Sequence, residues 1–129
     1  MEDLESEIRR RFLTRINGGW DCEDPRLDFG VKALPIFIRA FEEEIDSERR
    51  AKLLRVIWGF RDPSALMALA AALRDSVESV WKEALDGIVT LGGEDALVIL
   101  REYKRVLGRS EKIKCEWIDE AEEQIVRSI

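Results

Sequence analysis

Ala65-Leu66-Met67-Ala68-Leu69 returns 31 residues later as Ala96-Leu97-Val98-Ile99-Leu100, and a weaker copy, Ala33-Leu34-Pro35-Ile36-Phe37, lies 32 residues before the first. A period of this length, filled by two helical hydrophobic patterns, predicts a solenoid of stacked helix pairs. Neither helix of such a pair buries its apolar stripe alone, so neighbouring pairs share one continuous core. The repeat is clearest between Asp62 and Leu107.

The residue patterns place the helices. Leu4, Ile8, Phe12, Leu13 and Ile16 recur at helical spacing and predict an amphipathic N-terminal helix over 2–16, stopped by Asn17-Gly18-Gly19. Asp24-Pro25 reads as a short helical turn within the connection that follows. The first pair is expected over 31–60, with helices from Val31 to Ile45 and from Glu48 to Phe60, and Pro35 in the first turn where its missing N–H costs little. Asp62-Pro63 opens the second pair, 62–91, with helices over 64–73 and 77–91 around the turn Asp75-Ser76. Gly92-Gly93 separates it from the third pair, 93–129, whose helices run over 94–107 and 111–127. No stretch alternates with period two for long enough to make a strand. The expected fold is all-α, a single domain of about three antiparallel helix pairs behind an N-terminal amphipathic helix.

Composition narrows the function. No apolar run approaches the ~18 residues that cross a bilayer, and the acidic start Met1-Glu2-Asp3-Leu4-Glu5 lacks a secretory core. Cys22 and Cys115 lie far apart and outside any metal-ligand spacing, which fits free thiols in a reducing, cytoplasmic setting. Histidine is absent, which removes histidine-activated nucleophiles and the commonest zinc ligand. A net charge of −6 argues against nucleic acid, whose backbone needs a basic surface. Asp119 and Glu123, four apart on one helix, lack a third ligand for a metal ion. The sequence calls for no catalytic residue, cofactor or metal.

The segment from Asp75 to Leu91 resembles the HEAT repeat, whose second helix reads roughly D-x-x-x-x-V-R-x-x-A-x-x-x-L-x-x-L. Asp75, Val80, Ala84, Ile88 and Leu91 stand at the matching positions, Ile88 for the first leucine, and Trp81 replaces the arginine. The first pair keeps Leu53, Ile57 and Phe60 but loses the aspartate spacing; the third keeps Ile113 and Lys114 and puts Trp117 at the alanine position. The resemblance covers about 31–129 and implies a protein-binding role, as scaffold, adaptor or inhibitor. Other proteins of this type are chromophore lyase subunits or alkylpurine DNA glycosylases. The glycosylase-like role needs a basic groove, which Asp119, Glu120, Glu122 and Glu123 oppose.

On a helical wheel, Val80, Ala84, Ile88 and Leu91 face the core, and Glu78, Lys82, Asp86 and Val89 point away, flanked by Trp81 and Leu85. Shifting by the repeat sets Trp58 beside Val89 and Arg55 beside Asp86. Aromatic and arginine residues amid mixed charge are what interface hot spots are made of. The expected protein-binding set is therefore Arg55, Trp58, Trp81, Lys82, Asp86 and Val89, joined by Asp119 and Glu122 on the acidic last helix. The bland alternative is that Trp58 and Trp81 fill gaps between pairs and that the acidic runs, Glu42-Glu43-Glu44 included, merely solvate helix faces. The size and acidity suit a bacterial immunity protein that neutralises a basic toxin, or an adaptor in a larger complex. A monomer or weak dimer is expected, any dimer forming near Trp117 and Ile129.

Overall fold

A computed structural model describes residues 3–11, 30–108 and 110–129. The end of the first expected helix, the glycine stop, the Asp24-Pro25 turn and Cys22 lie outside these residues. Among the described residues the chain forms seven α-helices, two short 3₁₀ turns and no strand. The helices are α1 (Leu4–Arg11), α2 (Leu34–Glu43), α3 (Ser47–Gly59), α4 (Leu66–Ala72), α5 (Glu78–Leu91), α6 (Gly93–Val106) and α7 (Lys112–Ser128). No described helix is long and apolar enough to cross a membrane.

Local chemistry sets the ends, within a few residues of the expected bounds. Residues 30–33 and 63–65 are 3₁₀ turns, so α2 and α4 begin later than the hydrophobic pattern alone suggests. A proline in the opening turn of each removes a donor that would lack a partner there. Asp46 caps α3 by accepting from the Arg49 N–H at 3.0 Å, and Asp62 accepts from the Ser64 N–H at 2.9 Å. α2 stops at Glu43 because Glu44 turns to extended backbone, where its carboxylate accepts from the Arg49 Nε at 2.7 Å. That hydrogen bond holds the Glu44 carboxyl below the ordinary glutamate value. Two members of the acidic run are thus engaged locally, since Glu43 also pairs with Arg9 on α1 at 3.4 Å.

α2 packs on α3, α4 on α5 and α6 on α7. α5 is the centre, because it also packs on α3, over the largest contact in the molecule, and on α7. α1 is fastened against α2 by Ile8, fully buried, and by Arg39 to Glu5 at 2.6 Å. The first helices of the three pairs bury equivalent residues: Ala33, Ala65 and Ala96; Leu34, Leu66 and Leu97; Phe37, Leu69 and Leu100; Ala40, Ala72 and Tyr103. Small residues in the first column let the helices approach, and the larger ones fill the space between layers. In the second helices Leu53, Leu54 and Ile57 of α3 recur as Ala84, Leu85 and Ile88 of α5.

α7 departs from the expected register. Ile113 and Trp117, which the repeat pattern places inside, are exposed, while Lys114, Ile118, Ala121 and Ile125 are buried. Their 4-3-4 spacing is that of Val80, Ala84, Gly87 and Leu91, and α7 starts 34 residues after α5 rather than 31. α6 runs to Val106, three residues past Tyr103, the equivalent of Ala72 at the end of α4, and burial of Ile118 and Ile125 decides the rotation.

Candidate protein-binding face

The second helices α3, α5 and α7 present a row of polar side chains, and the structure sorts the expected residues along it. Arg55 on α3 is exposed, and its guanidinium lies 3.9 Å from the Glu83 carboxylate on α5. Asp86, one turn along α5, faces Arg55. Loss of water between the helices pushes the Asp86 carboxyl above its ordinary value, and the Arg55 charge opposes that shift. A carboxyl raised in the folded state binds its proton more tightly there, so its contribution to stability is present at low pH and is lost as pH rises through the raised value. Arg55→Ala is expected to raise the Asp86 titration midpoint further, followed by carboxyl NMR; an unmoved or lowered midpoint would show that the two groups do not sense each other.

Trp58 does not stand free beside Val89. It is half-buried, as is Val89, and its side chain lies across Gly87 of α5, where an added Cβ would sit 2.7 Å from the Trp58 Cβ. The indole N–H donates to the Glu83 carboxylate at 3.0 Å. Trp58 therefore joins α3 to α5. Trp81 is likewise buried and meets Trp117 of α7 edge to face, with ring centroids 6.1 Å apart. For both tryptophans the gap-filling role describes the geometry, because indole area is large and the helices leave room for it only at their seams.

Lys82 occupies the centre of the row. Its ammonium pairs with Glu78 and lies 4.2 Å from the centre of the Trp117 ring. Trp117, 39% exposed, and Ile113, 66% exposed, form the apolar patch beside it, one helical turn apart. The row thus runs without a break from Ile113 and Trp117 through Lys82 and Asp86 to Arg55. Sequence reasoning named Trp117 only as a place where a dimer would form and left it out of the binding set, because an apolar residue at an expected core position gives no sign of joining a polar face.

Asp119 and Glu122 belong elsewhere. Both pair with Lys104 of α6, Glu122 at 3.8 Å and Asp119 closer, while Glu123 meets Arg127 at 3.6 Å. The hydrogen bond to Asp119 holds the Lys104 ammonium above the ordinary lysine value. The two carboxylates considered as a pair, Asp119 and Glu123, each face a cation. Among the described residues no group of three or more carboxylates or thiols is placed to hold a metal ion. Cys115, the free cysteine among them, is half-buried.

Beneath the row, a polar brace ties successive pairs together. Arg50 of α3 donates to the carbonyls of Phe41 at 3.1 Å and Glu44 at 2.9 Å, and to Asp75 at 3.1 Å. Asp75 also accepts from the Val77 N–H at 2.8 Å, and its carbonyl accepts from the buried Lys114 ammonium of α7 at 3.4 Å. Lys114 sits 5.2 Å from the Trp81 ring centre and 5.1 Å from that of Tyr103. No protein-family model, curated protein or solved structure matches the chain.

Proposed function

We propose that the protein is a non-catalytic binding module, a short α-solenoid of the HEAT type in which α3, α5 and α7 are the inner helices and share a docking face for another protein. The observation that carries this reading is the continuous row Ile113, Trp117, Lys82, Asp86 and Arg55. It combines an exposed aromatic and aliphatic anchor with charges on either side, the composition of an interface centre and its rim. The exposed carboxylates of Asp86, Glu116 and Glu120 around it, with a net charge of −6, favour a partner that brings positive charge. An inhibitor of a basic protein, as immunity proteins are, is the narrower form of this reading.

Affinity capture from the source lysate tests it with three baits: the native chain, Trp117→Ala combined with Arg55→Ala, and Met67→Ser on α4. A stoichiometric partner kept by the native chain and by the Met67 variant, and lost by the double variant, is the expected result. Loss through Met67→Ser alone would move the site to the first helices of the pairs and remove the reading from this face.

A further inference from the structure

The buried columns end in charge. Phe41 of α2 and Leu73, just past the end of α4, are buried at equivalent positions, and the third member of that column is Lys104 of α6. On the second helices Leu54 and Leu85 are followed by Asp119 in the register α7 adopts, and Ile57 and Ile88 by Glu122. Three apolar columns therefore finish, at the same end of the molecule, in three residues that contact one another.

The direction in which these residues point follows from the packing of α5. Gly87 marks the side of α5 that α3 covers, through Trp58. Trp81 marks the opposite side, which α7 covers through Trp117 and Lys114. Leu85 and Ile88 lie on that second side with Trp81, four and seven residues further on. The matching side of α7 carries Cys115, Asp119 and Glu122, where Asp119 and Glu122 meet Lys104 of α6, and the main helix contacts of α7 are those with α5 and α6.

We infer that Lys104, Asp119 and Glu122 form a charged cap that keeps this end of the helix stack from packing against a second copy of the chain. An apolar end surface would be self-complementary and invite end-to-end association, since each pair offers the same columns as the one before. Covering the cap would strip water from three charges whose mutual pairing is partly solvated. The Glu122 Oε1 is already removed from solvent with no hydrogen bond among the described residues, and Lys104 at 3.8 Å supplies its compensation.

The test extends the columns. Lys104→Leu, Asp119→Leu and Glu122→Ile are combined in the full chain, and mass is followed by sedimentation equilibrium over a wide concentration range. The native chain is expected to stay at the mass of one protomer, and the triple variant to rise reversibly towards two, with an unchanged helical circular dichroism spectrum. Glu102→Leu, which puts a leucine on an exposed part of α6 outside the cap, is expected to remain a monomer. A folded triple variant that stays monomeric overturns the inference, as does equal association by the Glu102 variant, which would mean general stickiness. Self-association of the native chain that Asp119→Lys abolishes overturns it as well, because the native end would then be open. Should the triple variant not fold, Asp119→Leu alone decides: concentration-dependent association supports the cap, and a monomer at every concentration overturns it.

Discussion

Gly87→Ala is expected to destabilise the fold although it replaces a mid-helix glycine with the best helix former. The new Cβ would lie 2.7 Å from the Trp58 Cβ and 2.8 Å from its Cγ and Cδ1. Carbon atoms pack at about 3.5–4.0 Å. Both Cβ atoms are fixed to backbone, so no rotamer relieves the overlap and α3 must move away from α5 across the largest helix contact in the molecule. Overpacking of this kind costs about 3 kcal/mol, against about 1 kcal/mol recovered from helix propensity. A net loss of about 2 kcal/mol corresponds to a melting temperature lower by roughly 6–10 °C, read by thermal and urea unfolding. Part of the penalty persists in a Trp58→Ala background, because alanine keeps the offending Cβ, and disappears in Trp58→Gly. Equal or higher stability of Gly87→Ala would show that the helices do not approach as closely as described.

Asp75→Ala is expected to be the costliest change among the polar residues, at about 2–3 kcal/mol. One carboxylate holds the turn before α5 by accepting from the Val77 N–H and pairs with Arg50. Removal leaves both donors short of a partner at a position where the two side chains are only 17% and 21% exposed. Asp75→Asn keeps the acceptor for the Val77 N–H in the turn and gives up the charge, so about half the loss is expected. Chemical denaturation separates the two variants. If asparagine cost as much as alanine, the ion pair rather than the turn hydrogen bond would carry the effect; if neither cost anything, the brace would be ornamental.

The parts of this fold that were legible in sequence are those governed by periodicity. The alanine-leucine columns from Ala33, Ala65 and Ala96 onward are buried as the repeat implies, and Asp46 caps α3 and Asp62-Pro63 opens the 3₁₀ turn before α4 where they were expected to. What sequence could not supply was rotation. In the third pair the first helix runs three residues further, to Val106, and once Ile118 and Ile125 turn inward, Trp117, Ile113 and Asp119 are left exposed. The wheel left Trp58 and Trp81 open between exposure and gap filling for a related reason. A wheel treats a helix as having one neighbour, whereas α5 has helices on both sides as well as beneath it. Gly87 gave no signal at all, since a single glycine inside a helix acquires meaning only when the residue lying across it is known.

The order of packing has a kinetic consequence. Each of α3, α5 and α7 lies on the helix beside it and on its own pair partner, and the brace through Arg50 and Asp75 joins residues 25 apart. Chains whose contacts stay this local fold quickly, because little loop entropy is surrendered before a contact repays it. A ribosome emits such a chain in the order in which it packs. α3 can settle on α2 before α5 emerges, and each later helix finds a formed surface waiting.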